Sequence, residues 1–153
     1  MSAFTVLFDR VTNVIHTQLG ISDEASEANV QQIKTYPTYA IWDTGASGCA
    51  ITSKVVAELG LKPTSSVRVF TATGEVMQNV YLLCFHLPNN LSINLSVTEV
   101  PALPHKFEAL IGMSIISHGD FTISNFEGRT CLSFRMPSQA RTDYTGTDES
   151  PSR

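Results

Sequence analysis

Cysteine is scarce and scattered: Cys49, Cys84 and Cys131 are the only three in 153 residues. Their number is odd and no Cys-x-x-Cys pair occurs, which speaks against a disulfide framework and against a thiolate metal centre. Charge is sparse too, at 16% of residues, with 10 Lys+Arg against 14 Asp+Glu and a formal net charge of -4. Phosphate binding needs clustered cations, so this balance argues against nucleic acid as a partner. No run of about 18 apolar residues is present, so no membrane-spanning helix is expected. The first ten residues lack a basic stretch leading into a long apolar one. No secretory signal is therefore read, and the expected compartment is a reducing cytoplasm. Asn90-Leu91-Ser92 and Asn94-Leu95-Ser96 fit the glycosylation acceptor pattern and are read as chance matches in that setting. His16, His86, His105 and His118 have no metal-ligand spacing and no phosphate-binding glycine loop exists, so neither a metal nor another cofactor is expected.

The 42% hydrophobic content is that of an ordinary globular domain with a real core. Residues 3–8 alternate weakly as a first strand. Residues 20–30, with Ser22, Asp23, Glu24 and Glu27, read as a polar loop. The β-branched and aromatic stretch 36–42 reads as a strand. Residues 51–60 read as a short helix, with Thr52 or Ser53 as its cap, Gly60 as its stop, and Val55, Val56 and Leu59 on one face. Residues 67–87 form a hairpin pattern turning at 72–75. Leu91, Ile93, Leu95 and Val97 alternate with polar residues along a further strand. Met113 to Ser117 fit one helical turn, and strands at 121–124 and 129–134 flank a turn at 125–128. Beyond Pro137 apolar residues almost vanish, and a disordered tail over 137–153 is expected. Many short strands separated by turn signals indicate an all-β domain, closed or sandwiched, with one or two short helices.

The segment with chemistry in it is Ala40-Ile41-Trp42-Asp43-Thr44-Gly45-Ala46-Ser47. A carboxylate leaves an apolar strand and is followed by a hydroxyl, a glycine and two small residues. Gly45 permits a sharp turn and a close approach, and Thr44 offers a hydroxyl to lock the loop. An ordinary Asx turn has the same local composition. Gly45-Ala46-Ser47-Gly48-Cys49 misses the nucleophile elbow at its last residue, and no His and acid can be placed to serve Ser47. Trp42 is assigned to core packing by strand alternation, and Cys49 is read as a small buried residue.

Taken in order, the apolar approach to Asp43-Thr44-Gly45, the Ala46-Ser47 continuation, the hairpin and the run Ala109-Leu110-Ile111-Gly112 resemble the retropepsin-like aspartic proteases. The order Gly119-Asp120-Phe121-Thr122-Ile123 is closer to the single-domain bacterial branch than to the viral enzymes. The resemblance covers roughly residues 36–135 and implies a closed, small β-barrel of the acid-protease type over 36–136. Residues 1–35 are then an N-terminal strand and polar loop, part of the domain or propeptide-like.

It further implies that Asp43 is the catalytic residue of an active-site loop made with Thr44, Gly45, Ala46 and Ser47. Phe70, Thr71, Ala72, Thr73, Gly74 and Glu75 would form the flap over the substrate. Leu110, Ile111 and Gly112 would pack beneath the loop. The partners implied are a second copy of the chain and a peptide substrate. The chemistry requires two carboxylates sharing one proton, yet Asp9, Asp23, Asp120, Asp143 and Asp148 all lack a following Thr-Gly or Ser-Gly. The second carboxylate would come from the second copy, in a C2 homodimer. The alternative is a non-catalytic dimerisation or peptide-binding module of the same fold. Three departures from the viral pattern stand out. The flap tip has one glycine, Gly74. Ser47 and Met113 occupy positions where viral members carry an acid and an arginine. Ala46 cannot donate a hydrogen bond to the carboxylates, which implies a working pH less acidic than that of gastric relatives.

Overall fold

The computed structural model describes residues 2–24, 34–71 and 74–146. Among the described residues ten strands and two short α-helices follow one another: β1 (Ser2–Leu7), β2 (His16–Asp23), β3 (Tyr36–Trp42), β4 (Cys49–Thr52), α1 (Ser53–Leu59), β5 (Ser65–Thr71), β6 (Gly74–Leu87), β7 (Leu91–Val100), β8 (Ala109–Ile111), α2 (Met113–Ile116), β9 (Asp120–Phe126) and β10 (Arg129–Met136). Among the described residues no helix is long and apolar enough to cross a membrane.

The strand order β2-β3-β8-β4-β7-β6 returns on itself, because β6 also pairs with β2. Six strands thus close into a barrel. β6 makes this closure possible by its length of 14 residues. Its second half lies between β7 and β2, with Phe85 opposite both Ile93 and Ile21, while its first half leaves the ring to pair with β5. The inward set of each strand fills the lumen: Ile21, Ile51, Leu83, Phe85 and Ile111 are fully buried. Each such side chain contributes about 1.5–3 kcal/mol by leaving water. A second sheet, in the order β1-β10-β9, lays Phe4, Leu132 and Phe134 against this core.

Several sequence expectations change here. Residues 20–23, read as the start of a polar loop, are the second half of β2. Ser22 is fully buried there, with its hydroxyl 2.9 Å from Nε2 of His86, so the buried polar group has a partner. Helix α1 stops at Gly60 as expected, and Gly60 takes φ +63, the left-handed conformation that suits glycine. Thr52, in contrast, does not cap α1 with its side chain. Its hydroxyl donates to the Glu108 carboxylate instead. Ile51 and Thr52, expected at the start of that helix, belong instead to the strand Cys49–Thr52, which is buried along its whole length. Ser138 and Gln139, in the expected tail, are held by Asp120: the Ser138 hydroxyl and the Gln139 amide both donate to its carboxylate.

Candidate active site

Asp43 is the first residue beyond β3. Strand alternation turns Ala40 and Trp42 inward and leaves Tyr39, Ile41 and Asp43 toward the outer surface. The Trp42 indole is a fixed wall behind the loop. It stacks on Phe121 at 5.3 Å and 17°, and meets Phe4 and Phe134 at 6.1 and 5.1 Å. Its Nε1–H donates to Thr17 Oγ1 at 3.0 Å, so the buried nitrogen is satisfied.

The loop is then folded by its own carboxylate. The Gly45 amide donates to Asp43 Oδ1 at 2.8 Å, and the Ala46 amide donates to the Asp43 carbonyl at 3.3 Å. Gly45 does not adopt a left-handed φ, so the conformational freedom expected of it is not what the fold uses. Space is: a Cβ there would stand 3.1 Å from Asp43 Oδ1 and crowd the carboxylate. Thr44 and Ser47 are exposed, and among the described residues neither hydroxyl has a partner.

Strand β8 and helix α2 support the loop from below. The Asp43 amide donates to the Ile111 carbonyl at 2.9 Å, continuing the parallel pairing of β3 with β8. The Met113 and Ser114 amides donate to the carbonyls of Ala46 and Ser47 at 2.8 and 2.9 Å. Between these contacts lies Gly112, where a Cβ would fall 2.1 Å from the Gly48 carbonyl oxygen and 2.7 Å from that of Ala46. No side chain fits. Ile111 is fully buried, whereas Leu110 faces outward next to Ile41, its partner in β3.

One element escaped sequence reading. Cys49 is buried, as expected of a small residue, but its Sγ also accepts from the Gly112 amide at 3.4 Å and lies 3.3 Å from the Ser114 hydroxyl. Burial pushes its thiol pKa up, only partly offset by Ser114 and Gly112. Sixty-five residues separate Cys49 from Ser114, so no local signal in the chain announces the pair.

The flap candidates lie on the β5–β6 hairpin. Phe70 pairs with Glu75 and Thr71 with Gly74, while Ala72 and Thr73 lie outside the described residues. Phe70 is 77% exposed, and Glu75 sits 3.4 Å from Arg68 in an exposed ion pair. Neither Phe70 nor Glu75 is bonded to residues 43–47. Among the described residues no group of three or more His, Cys, Asp or Glu is placed to hold a metal ion.

A family model described as aspartyl protease matches residues 27–115. No curated protein matches. Among solved structures, a retropepsin-like aspartic protease from Rickettsia conorii superposes with a TM-score of 0.53 at 19% identity, over 86% of this chain and 92% of that one. The simian foamy virus (mac) protease gives 0.47 at 20% identity, over 67% of this chain and 92% of that one. The EIAV protease complexed with the inhibitor HBY-793 gives 0.48 at 15% identity, over 69% and 86%. The first of these likenesses, together with the closed barrel, establishes the retropepsin-like fold.

Proposed function

The chain belongs to the aspartyl protease family, and from that premise we propose that it is an endopeptidase whose catalytic centre forms where two copies bring their Asp43 carboxylates together. The observation that carries this reading is the Asp43 loop itself. It is an outward-facing carboxylate, bonded to the Gly45 amide and held from beneath by the Gly112 turn. One carboxylate oxygen, Oδ1, folds the loop, while Oδ2 has no hydrogen-bond partner among the described residues, and each chain has only one Asp-Thr-Gly loop.

Two carboxylates about 3 Å apart share a single proton, because two like charges at that distance do not both ionise. The ionised member takes a proton from a water molecule lying between them. The water oxygen then bonds to the peptide carbonyl carbon, while the protonated member gives its hydrogen to the carbonyl oxygen. When the carbon–nitrogen bond breaks, the leaving nitrogen receives a proton from one carboxyl, and a hydroxyl of the intermediate returns one to the other. The pair titrates as a unit, so its two apparent pKa values belong to both copies. The unpartnered Thr44 hydroxyls are suited to bridge the two loops across the two-fold axis. The bare Cα of Gly45 leaves room for the substrate backbone. The β5–β6 hairpin, with Phe70 to Glu75 at its end, would close over an extended peptide and pair with its main chain.

The test compares wild type with Asp43→Asn on a peptide library, with and without a pepstatin-type inhibitor. Cleavage by wild type that is blocked by the inhibitor and absent in the variant supports the reading. Equal cleavage by both proteins overturns it, and cleavage by neither, with the dimer intact, assigns the chain to the non-catalytic peptide-binding module.

A further inference from the structure

We propose that the cavity beside the β2–β3 pair, lined by His16, Thr38, Tyr39, His105, Lys106 and Phe107, is a specificity subsite that selects a glutamate side chain of the peptide. The proposal rests on the endopeptidase reading above and adds to it which substrates are preferred.

The position follows from strand register. Ile41 stands two residues before Asp43 on the same outward face, and His16 is its cross-strand partner in β2. At about 3.3 Å of rise per residue, the His16 end of the cavity is offset roughly 7 Å along the strand direction from the Asp43 backbone. An extended peptide cleaved at Asp43 covers that distance with its second residue from the broken bond. A side chain at that position reaches the cavity, which has a volume of about 340 Å³.

The chemistry follows from what lines the cavity. Lys106 brings a cation that forms no ion pair among the described residues. Nδ1 of His16 faces the Val14 carbonyl at 3.2 Å, while its Nε2 has no hydrogen bond among the described residues. His105 adds a second ring nitrogen donor. No carboxylate lines the cavity. The adjoining Glu108 is already engaged by Thr52 and by Lys54, at 2.9 Å from the latter. The walls are rings: His16 meets Tyr39 at 5.9 Å and Phe107 at 5.3 Å, and His105 meets Phe107 at 6.4 Å. A cation and ring nitrogens among the lining of an aromatic-walled cavity fit a carboxylate carried on a short methylene stem. Glutamate has that shape.

The turn carrying the two polar groups is strained. His105 and Lys106 adopt φ 56 and 63 in succession, a left-handed pair that side-chain-bearing residues avoid, closed by the Phe107 amide donating to the Pro104 carbonyl at 3.2 Å. Strain of this kind persists where the surroundings impose it and concentrates at ligand contacts.

The experiment uses the full chain and a set of Ala/Leu hexapeptides carrying one Glu at each position in turn, with their Gln twins. Wild type is expected to cleave a Glu peptide about tenfold faster than its twin at one position, the ratio that a single charge-assisted hydrogen bond supplies. In Lys106→Met the ratio falls to near one, and in Lys106→Glu the preference moves to the corresponding Lys peptide. Equal cleavage of the twins by wild type, or an unaltered preference in Lys106→Glu, overturns the proposal. The Asp43→Asn protein supplies a readout independent of cleavage. The His16 and His105 ring signals in its NMR spectrum should shift on titration with the Glu peptide and not with the Gln twin. If wild type cleaves nothing but these shifts appear, the endopeptidase reading fails and the subsite stands. If cleavage occurs without preference or selective shifts, the subsite fails and the enzyme stands.

Discussion

Replacing Gly112 with alanine should loosen the Asp43 loop without substituting any residue of it. The added Cβ would lie 2.1 Å from the Gly48 oxygen, 2.7 Å from the Ala46 oxygen and 2.9 Å from the Gly48 carbonyl carbon. All three are backbone atoms. A carbon comes no nearer to a carbonyl oxygen than about 3.3 Å, so the loop must move away by about 1 Å. That movement breaks the bonds from Met113 and Ser114 to the Ala46 and Ser47 carbonyls. Each net backbone bond is worth about 1 kcal/mol, and overpacking adds about 1–3 kcal/mol. Gly112→Ala should therefore lose about 3–5 kcal/mol, measured by urea unfolding at matched protomer concentration. Peptide cleavage should fall about a hundredfold, the cost of roughly a 1 Å misplacement of catalytic groups. Gly48→Ala is the control. Nothing lies within 4 Å of its added Cβ and its φ is not left-handed, so its stability should stay within about 0.5 kcal/mol of wild type. A Gly112→Ala protein with wild-type midpoint and activity would refute the interlock between the loop and the Gly112 turn.

Three further expectations follow from named contacts. Thr17→Val removes the acceptor of the Trp42 indole N–H and should destabilise the fold by about 1–3 kcal/mol in urea melts, as a buried donor left unpaired does. Asp120 receives the Gln139 amide, the Ser138 hydroxyl and the Arg135 guanidinium, and these hold its carboxyl well below the usual carboxylate range. Because the folded pKa is depressed, its contribution is complete above the ordinary Asp value and is lost as pH drops toward the folded one. Stability measured from pH 6 downward should decline below about pH 4, and Asp120→Asn should flatten that part of the profile. Ala46 would offer the proposed dyad no hydroxyl, whereas Ala46→Ser adds a donor that favours the ionised form. The acid limb of activity should move to lower pH in the variant, and a wild-type optimum below about pH 3 would contradict the argument.

Legibility in the sequence divided along physical lines. Strand β7 was readable because Leu91, Ile93, Leu95 and Val97 alternate with polar partners, the mark of a sheet with one wet face. Helix α1 was readable from its apolar spacing and from Gly60, whose left-handed φ is a local property. Strand β2 was harder. Thr17 and Ser22 are polar yet buried, satisfied by Trp42 and His86 from distant segments, so its inward face does not look apolar. Strand β4 is buried along its whole length and has no alternation to detect. The Asp43 loop was visible because its key residues are consecutive. The rest of its support was not, since the exclusion of a side chain at Gly112 depends on carbonyls more than sixty residues earlier, and the Cys49–Ser114 contact spans 65.

The central claim, one active centre built from two Asp43 loops, is tested most directly by mixing subunits. Wild type and Asp43→Asn are combined in equal amounts, co-refolded so that protomers assort freely, and assayed at constant total protein. If both carboxylates are required, only dimers with two wild-type chains work, and about one quarter of the wild-type rate should remain. A residual rate of about one half, tracking the number of wild-type chains, would mean that each chain acts alone.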